Sequence, residues 1–321
     1  MKRNKKVIEK YSLEIEKIKE NISNIVLSGY EEIDDILKIY FSSSGKMIRP
    51  ILTLIFSKLG EKNKKYEKEI IDAASLLEII HATTLIHDDI IDNAKTRRGK
   101  ETIGKKHGEK TAIFIGDYLF SVVLREISNF SNVNVHKYLS YTLKEICMGE
   151  IFQSKDLYNV DTRVLDYFKK IRRKTALLIA YSCILGGIVS NSDKKYLKKI
   201  YLFGYYLGMS YQIIDDYLDF MAKEEVLGKQ VGQDLLNGNI TLPVILKIKK
   251  EKNKFLDLKN LDYQEKLKLI KEIKNDQEIL NKVKEISNNY LKKAKSQIKI
   301  FPMEIKKDLE IIIEKLSNRS Y

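Results

Sequence analysis

The feature that most limits the folds open to this chain is a helical apolar pattern that proline almost never interrupts. Prolines stand only at positions 50, 243 and 302 of 321 residues, and no Pro/Gly/Ser-rich stretch resembles a linker. Over residues 8–25, apolar side chains recur at alternating spacings of three and four, which puts them on one helix face. Residues 305–316 repeat the pattern after Pro302. The sequence therefore predicts an all-α protein with a single domain over residues 1–321.

Periodic segments and polar breaks define the expected elements. The predicted helices span 31–40, 46–59, 69–93, 109–130, 136–154, 162–191, 197–221, 240–250 and 264–298, the last one broken. The predicted loops are 60–66, 95–108, 155–161, 191–196 and 224–239. The longest uncharged run, 175–192, contains two glycines, and its reliably apolar part is too short for a membrane span. We therefore expect a buried helix there and at most peripheral contact with a membrane.

Charge and cysteine usage bear on partners and compartment. The net charge is +14, but much of the excess comes from lysines scattered among glutamates, without a basic patch interleaved with aromatic residues. We therefore expect no nucleic-acid partner. The basic N-terminus lacks a following apolar core, so no secretory signal is expected. Cys147 and Cys183 suit reduced core residues better than a disulfide, which favours a cytoplasmic protein.

Two acidic segments of the same design lie more than a hundred residues apart, each in an apolar, helix-compatible run. Positions i and i+4 share a helix face, so each segment forms a carboxylate pair. Six carboxylates between apolar segments resist ionisation without cations, and hard oxygen ligands suit Mg²⁺, with Mn²⁺ as a substitute. Two solvated acidic faces are the alternative in a chain that is 32% charged. The duplication favours a metal site, with the candidate ligands Asp88, Asp89, Asp92, Asp215, Asp216 and Asp219.

Polar and basic residues accompany both acidic segments. On an ideal helix His81 falls within about 40° of Asp88 and Asp92, and Gln212 clusters similarly with Asp215 and Asp219. Two such faces packed together would line a polar-mouthed cavity in a helical bundle. Basic groups that could hold phosphate occur at Lys46 and Arg49, Arg97, Arg98 and Lys100, Arg172 to Lys174, and Lys229. Any one basic pair alone is typical of an ordinary solvent-exposed surface. Together with the acidic segments, the basic groups indicate a site for Mg²⁺-bridged diphosphates.

These residues stand in an ordered series of motifs. The series comprises Gly45-Lys46-Met47-Ile48-Arg49-Pro50, His81 through Gly99, Gly116-Asp117-Tyr118, Gly149-Glu150-Ile151-Phe152-Gln153, Lys174-Thr175-Ala176, Gln212 through Asp219, Gly228-Lys229 and Gly238-Asn239-Ile240-Thr241-Leu242-Pro243. With it the chain resembles, nearly end to end, the trans-prenyltransferases, the polyprenyl diphosphate synthases that extend an allylic diphosphate with isopentenyl diphosphate. The resemblance implies a helical bundle of the isoprenoid synthase type with a central active-site cavity. Its motifs are closest to those of medium- and long-chain synthases, such as heptaprenyl and octaprenyl diphosphate synthases.

The resemblance also implies roles for individual residues. Asp88, Asp92 and Asp215, with Asp89, Asp216 and Asp219 in support, would hold Mg²⁺ on the allylic diphosphate, and Asp88, Asp89, Asp92, Lys174, Asp215 and Asp216 would be catalytic. The same allylic diphosphate would contact Arg97, Lys174, Thr175, Gln212 and Lys229. Isopentenyl diphosphate would be held by Lys46, Arg49, His81 and Arg98. Ser44 and Met47 depart from the Gly and Arg of many members, and Asn239 stands where some have a second Lys.

The implied reaction is a head-to-tail (1′-4) condensation that begins with ionisation of the allylic C–O bond. Mg²⁺ and fixed cations would stabilise the leaving diphosphate, and an apolar tunnel would shield the carbocation from water. Positions 80–84 form a wall of the elongation tunnel in this family. Here they carry no Phe or Tyr, so Thr83 and Thr84 predict a medium- or long-chain product, of the kind used for quinone side chains.

The sequence leaves alternatives for the function and for the subunit composition. A short-chain farnesyl or geranylgeranyl diphosphate synthase is the alternative within the family, although the small tunnel wall favours a longer product. A class I terpene cyclase would share the architecture but would usually carry an Asn/Ser/Glu-type second motif. A regulatory subunit should have lost acidic residues, and this chain retains all six. We expect a homodimer, with a heterodimer containing a regulatory subunit as the alternative.

Overall fold

The computed structural model describes residues 9–42, 45–61, 64–97, 99–221 and 231–317, and this part of the chain is almost entirely helical. The first elements are α1 Ser12–Ile25, α2 Glu31–Ser42, α3 Ile48–Ser57, α4 Lys64–Ile91, β1 Thr96–Arg97, β2 Lys100–Glu101, α5 Ile103–His107, α6 Glu109–Ile127 and α7 Val133–Lys155. The two short strands pair antiparallel around Gly99, whose φ of +76° suits a tight turn. The all-α prediction is confirmed.

The remaining elements continue the helical pattern. They are α8 Val164–Ile171, a π-helical segment Arg172–Ala176, α9 Leu177–Val189, α10 Lys194–Met221, α11 Gln233–Leu236, α12 Leu242–Lys250, a 3₁₀ turn Lys252–Phe255, α13 Tyr263–Asn275, α14 Gln277–Gln297, a 3₁₀ turn Ile298–Ile300 and α15 Met303–Ser317. Asp276 separates α13 from α14, and its side chain caps α14 by accepting a hydrogen bond from the backbone N–H of Ile279 at 3.2 Å. The break expected within the predicted helix 264–298 therefore lies at Asp276, which is the N-cap residue of α14.

Contacts divide the chain into two compact units. Unit 1 comprises Met1–Leu139, Ser182–Ile200 and Ile300–Ile311, and unit 2 comprises Ser140–Tyr181, Tyr201–Lys299 and Ile312–Tyr321. The single domain over residues 1–321 stays a prediction.

Unit 1 is organised around α4, which packs against α1, α3 and α6. Residues 73–80 of α4 are all buried, so this helix is enclosed around its whole circumference there, with Ser75 and Glu78 among otherwise apolar side chains. The C-terminal half of α3 lies against Gly186 of α9, where an added Cβ would lie 2.2 Å from the carbonyl oxygen of Thr53. Only a glycine allows the two backbones to approach this closely.

Unit 2 has its own apolar core. It gathers buried side chains from α8, α10, α12, α13 and α14, with Tyr167, Phe220 and Phe255 fully buried. Gly208 of α10 lies against the π-helical segment, since a Cβ there would meet the Cα of Ala176 at 2.6 Å. This close packing brings the π-helical segment against the helix that carries the second acidic segment.

Several expectations need correction. The chain over 95–108 is a β-hairpin followed by the one-turn helix α5, not an irregular loop. The predicted helix 46–59 begins only at Ile48, because Met47 adopts a left-handed conformation with φ +50°. Cys183 is buried as expected, but Cys147 is exposed. Within 231–239, residues Gln233–Leu236 form a short helix.

One described helix, Tyr66–Ile91, is long and apolar enough to cross a membrane by length and composition alone. Its most apolar window is 61% buried within the protein, and a core helix of that kind passes the same test. The helix therefore adds little weight to a membrane interpretation, and peripheral membrane contact stays a prediction.

Candidate active site

The first acidic segment ends α4. Asp88 and Asp89 lie in the last turn of the helix, and the exposed Asp92 follows it, its backbone N–H donating to the Asp88 carbonyl at 2.8 Å. The i, i+4 relation between Asp88 and Asp92 therefore has helical geometry, as the spacing predicted. Asp88 is half-buried, whereas Asp89 is only 7% exposed.

Asp89 is held by Arg97 of the β-hairpin. The Arg97 Nε lies 2.7 and 2.9 Å from the two carboxylate oxygens, and its Nη2 lies 2.7 Å from Oδ1. A two-point guanidinium–carboxylate contact of this kind is strong and directional. The hairpin thus holds Asp89 in place, and this pairing could not be predicted from the sequence because 95–108 has the pattern of a loop. The diphosphate role predicted for Arg97 and the metal role predicted for Asp89 stay predictions.

A cavity of about 410 Å³ lies in unit 1 beside this pair. His81, Ala82, Leu85, Asp89 and Arg97 line it, together with side chains of α2. Lys100, Lys106 and His107 also line it, and sequence reasoning missed the last two because they fall in the region taken as a loop. Apolar walls that also carry several cationic side chains suit a ligand that has an apolar body and an anionic head.

The tunnel-wall candidates differ in burial. Thr83 is 5% exposed and donates from its hydroxyl to the Ile79 carbonyl, whereas Thr84 is half-buried and donates to the His81 carbonyl. Neither threonine lines the 410 Å³ cavity, although their neighbours His81 and Ala82 do. The chain-length role of Thr83 and Thr84 stays a prediction.

The remaining basic candidates of unit 1 lie around the start of α3. Lys46 is exposed, and Arg49 is half-buried in the first turn. Between them, Met47 combines a left-handed backbone with burial to 4% exposure. Strained backbone at a non-glycine residue persists only where the surroundings enforce it, often in a functional loop. Ser44, Arg98 and Lys229 lie outside the described residues.

The second acidic segment occupies the last two turns of α10. Asp216 is 3% exposed and accepts hydrogen bonds from the Tyr167 hydroxyl at 2.7 Å and from Gln212 Nε2 at 2.8 Å. The Gln212 side chain in turn accepts a hydrogen bond from the Thr175 hydroxyl. This network joins α8, the π-helical segment and α10, so the predicted residues Thr175, Gln212 and Asp216 are brought together.

Asp215 and Asp219 flank this network and are half-buried. A carboxylate oxygen of Asp219 accepts from the backbone N–H of Asp234 at 3.3 Å, at the start of α11. The backbone carbonyl of Asp219 also accepts from Gly232 at 2.9 Å. The segment 232–234 therefore folds back onto the end of α10 and brings the carboxylate of Asp234 into the acidic group.

The predicted Lys174 lies in the π-helical segment. Its ammonium is 3.6 Å from a carboxylate oxygen of Glu150 and 3.5 Å from Gln153 Oε1, both on α7. An inserted π turn changes which side chains share a helix face and frequently marks a functional site. Sequence periodicity predicted one helix over 162–191 and could not show this local change of pitch.

The carboxylates of the second segment are poorly balanced by positive charge. Burial, and next the charge of Asp234, raise the pKa of Asp216 to about 7 and that of Asp219 to about 8. Both shifts mean that nearby positive charge compensates the ionised forms only in part. A divalent cation would supply it, and the donors are all oxygen atoms, as Mg²⁺ prefers.

The described residues do not form a complete metal cage. Among them, no three His, Cys, Asp or Glu side chains converge closely enough to hold an ion by themselves. Mg²⁺ characteristically takes only one or two carboxylates and completes its shell with water and phosphate oxygens. The carboxylates present therefore fit Mg²⁺ that is shared with a diphosphate.

A helical fold with two aspartate-rich helix ends, each accompanied by cations, defines a prenyltransferase of the isoprenoid synthase type. The chain belongs to the polyprenyl synthetase family, whose profile matches residues 30–283. It is a trans-prenyl diphosphate synthase, and the recognition based on its motifs is confirmed.

Particular relatives are similar over most of the chain. Heptaprenyl diphosphate synthase component 2 of Bacillus subtilis is 41% identical over 90% of this chain and 83% of its own length. Solanesyl diphosphate synthase 1 of Arabidopsis thaliana is 34% identical over 76% of this chain and 61% of its own length. The crystal structure of heptaprenyl diphosphate synthase from Staphylococcus aureus superposes with a TM-score of 0.90 at 35% identity, covering 97% of this chain and 98% of that one.

Proposed function

We propose that this chain synthesises a medium- or long-chain trans-polyprenyl diphosphate by Mg²⁺-dependent head-to-tail condensation of isopentenyl diphosphate with an allylic diphosphate. The observation that carries the proposal is the 41% identity to a relative named for a heptaprenyl product. Fold alone does not separate product lengths, because geranylgeranyl pyrophosphate synthase of Lactobacillus brevis superposes with a TM-score of 0.89 at 25% identity. The absence of aromatic side chains over 80–84 supports the longer product.

The described acidic and polar residues have different roles in this reaction. Asp88, Asp92 and Asp215 would hold Mg²⁺, which supplies Lewis-acid stabilisation of the leaving diphosphate when it is bound. Gln212 is oriented by Thr175 and itself holds Asp216, so this part of the site is preorganised before substrate arrives.

The basic groups position the two diphosphates. Lys174, Thr175, Gln212 and Arg97 would contact the allylic diphosphate, whereas Lys46, Arg49 and His81 would hold isopentenyl diphosphate. The apolar side chains beside His81 exclude water from the reacting carbons. No described side chain is placed as an evident base, so the departing diphosphate takes the proton lost from the isopentenyl unit.

Subunit composition is part of the proposal. Two relatives, from Bacillus subtilis and Geobacillus stearothermophilus, are both named heptaprenyl diphosphate synthase component 2, which indicates an enzyme with a further component. One face of α6 leaves large apolar side chains exposed at Ile113, Phe114, Phe120 and Leu124, by 43%, 59%, 37% and 52%. An exposed apolar face of this kind is typical of a subunit contact. We assign this face to a homodimer or to a heterodimer with a regulatory subunit, in the cytoplasm.

The test is product analysis of the purified chain with labelled isopentenyl diphosphate and farnesyl diphosphate as the allylic primer. Products longer than geranylgeranyl diphosphate are expected, either from the chain alone or after addition of the second component. Products that stop at that length would contradict the chain-length proposal. Cyclic hydrocarbons would instead indicate a terpene cyclase.

A further inference from the structure

Lys170 is a half-buried cation beside the second acidic segment, and neither the motif series nor the proposed roles include it. It lies in the last turn of α8, and its ammonium donates a hydrogen bond to the Ile240 carbonyl at 3.2 Å. Burial lowers the pKa of Lys170, while the charges of Asp216 and Asp234 oppose that shift. Removing a lysine ammonium from water is costly unless anionic or polar partners replace the hydration.

Helix geometry places Lys170 on the same face of α8 as a residue that contacts Asp216. Tyr167 precedes it by three residues, and its hydroxyl donates to the Asp216 carboxylate at 2.7 Å. Residues i and i+3 share a helix face, so one face of α8 carries both a phenol that contacts the acidic segment and an ammonium whose charge acts on Asp216. The adjacent Lys169 is exposed and pairs instead with Asp166 at 3.3 Å.

The segment that receives the ammonium contains polar atoms without partners among the described residues. The buried Oδ1 of Asn239 and the Oγ1 of Thr241 have no hydrogen-bond partner there, and Thr241 is only 4% exposed. They flank the Ile240 carbonyl to which Lys170 donates. An ammonium has three N–H donors, so the Lys170 ammonium can donate to more than one acceptor in the segment 239–241.

The segment has no cation of its own. Position 239 carries an asparagine where some members of the family have a lysine, and the neighbouring positions 237, 238, 240 and 241 are uncharged. The positive charge at this place therefore comes from α8 rather than from the segment itself.

We propose that Lys170 is a positioning residue that supplies, from α8, the positive charge that Asn239 does not provide. Its ammonium ties the segment 239–241 to the acidic end of α10 and balances Asp216, so that this end of the site can accept the allylic diphosphate. The inference rests on the proposed function, because it assigns the charge to the diphosphate of that reaction.

The main test compares Lys170→Gln with Lys169→Gln. Both remove one lysine from neighbouring positions, and glutamine at 170 can keep a hydrogen bond to the Ile240 carbonyl. We expect Lys170→Gln to lower kcat/KM for the allylic primer by about tenfold to a hundredfold, with the KM for isopentenyl diphosphate changed by less than about threefold. Lys169→Gln should match the wild type in both. Equal kinetics for the two variants would overturn the proposal.

A rescue experiment separates charge from structure. Lys170→Gln combined with Asn239→Lys returns an ammonium to this place, now carried by the segment 239–241 instead of α8. The double variant should recover most of the lost kcat/KM. Lys170→Arg should remain within about threefold of the wild type, because it keeps the charge. Failure of the double variant to exceed Lys170→Gln, or equal impairment by arginine and glutamine, would contradict the inference.

A binding measurement provides a readout independent of turnover. Calorimetric titration with inorganic diphosphate and Mg²⁺ should give weaker binding for Lys170→Gln than for Lys169→Gln, with circular dichroism unchanged. Equal affinity in the two variants would overturn the inference. If the wild type forms no prenyl product but the two variants still differ in diphosphate binding, the proposed function fails while the role of Lys170 in diphosphate binding stands.

Discussion

Individual carboxylates in this protein differ in how their charge is balanced. Asp89 forms an ion pair with the guanidinium of Arg97, whereas the buried Asp216 accepts hydrogen bonds from the neutral side chains of Tyr167 and Gln212. Burial, and next the charge of Asp234, raise the pKa of Asp216. Neutral hydrogen bonds oppose this rise less than an opposite charge would, so a cation is expected there.

We expect Asp88→Ala and Asp215→Ala each to lower turnover by at least about a hundredfold, because each removes an oxygen ligand from Mg²⁺. The helical circular-dichroism signal should stay native, since both side chains are only half-buried. Steady-state assays with and without a chelator provide the measurement. Turnover that persists in excess chelator would contradict the metal requirement.

Stability without metal should depend on pH. The raised pKa values of Asp216, about 7, and Asp219, about 8, mean that the folded protein holds protons that the unfolded chain releases above about pH 4. The associated stability is present at low pH and is lost as the pH rises through the folded-state values. Urea midpoints measured in chelator should therefore fall between about pH 5.5 and about pH 8.5 through these groups. Asp219→Asn should flatten the slope, and an unchanged slope in that variant would contradict the assignment.

At the scale of elements, close helix contacts and helix ends position the site. The contact of α3 with α9 depends on Gly186, and the network around Asp216 depends on the π turn between α8 and α9. Both are places where a regular helix with ordinary side chains would not pack in the same way.

Gly186→Ala should destabilise the protein by about 1–3 kcal/mol, because the new Cβ would meet backbone atoms of Thr53 that cannot move aside cheaply. The gain in helix propensity offsets only part of this cost. Gly104→Ala is the matched control, since a Cβ there lies no closer than 3.8 Å to another atom. Urea denaturation of both variants tests the comparison, and equal midpoints would contradict the packing argument.

Product length should respond to Thr84 more cleanly than to Thr83. A ring at the half-buried Thr84 can be accommodated, whereas a ring at Thr83, 5% exposed, overpacks the core. We expect Thr84→Phe to yield shorter products with the first condensation largely intact, and Thr83→Phe to lower the melting temperature. A folded, active Thr84→Phe variant that makes the wild-type product would show that this wall does not set chain length.

At the scale of the whole molecule, the exposed apolar face of α6 should determine the association state. Leu124→Glu places a charge on that face, and we expect it to shift the mass measured by light scattering from dimer towards monomer. Leu13→Glu on α1, 73% exposed, is the matched control and should leave the mass unchanged. The same shift in both variants would contradict the assignment of the interface to α6.

The sequence by itself determined the helices and the acidic segments. Spacings of three, four and seven residues are local, so helices near 31–40, 109–130 and 197–221 were predicted to within a few residues. The carboxylate pairs that suit a metal ion and the family motifs also involve residues close together in sequence, so they too can be predicted without the structure.

Only the tertiary structure decided which distant groups meet. The contact of Arg97 with Asp89, and those of Tyr167 and Lys170 with the second acidic segment and its neighbour Ile240, join elements whose approach is set by core packing. The same packing decides burial, and burial is what raises the pKa of Asp216 and lowers that of Lys170. Periodicity carries no information on these contacts, because side chains far apart in sequence are brought together only when the apolar faces of their helices associate.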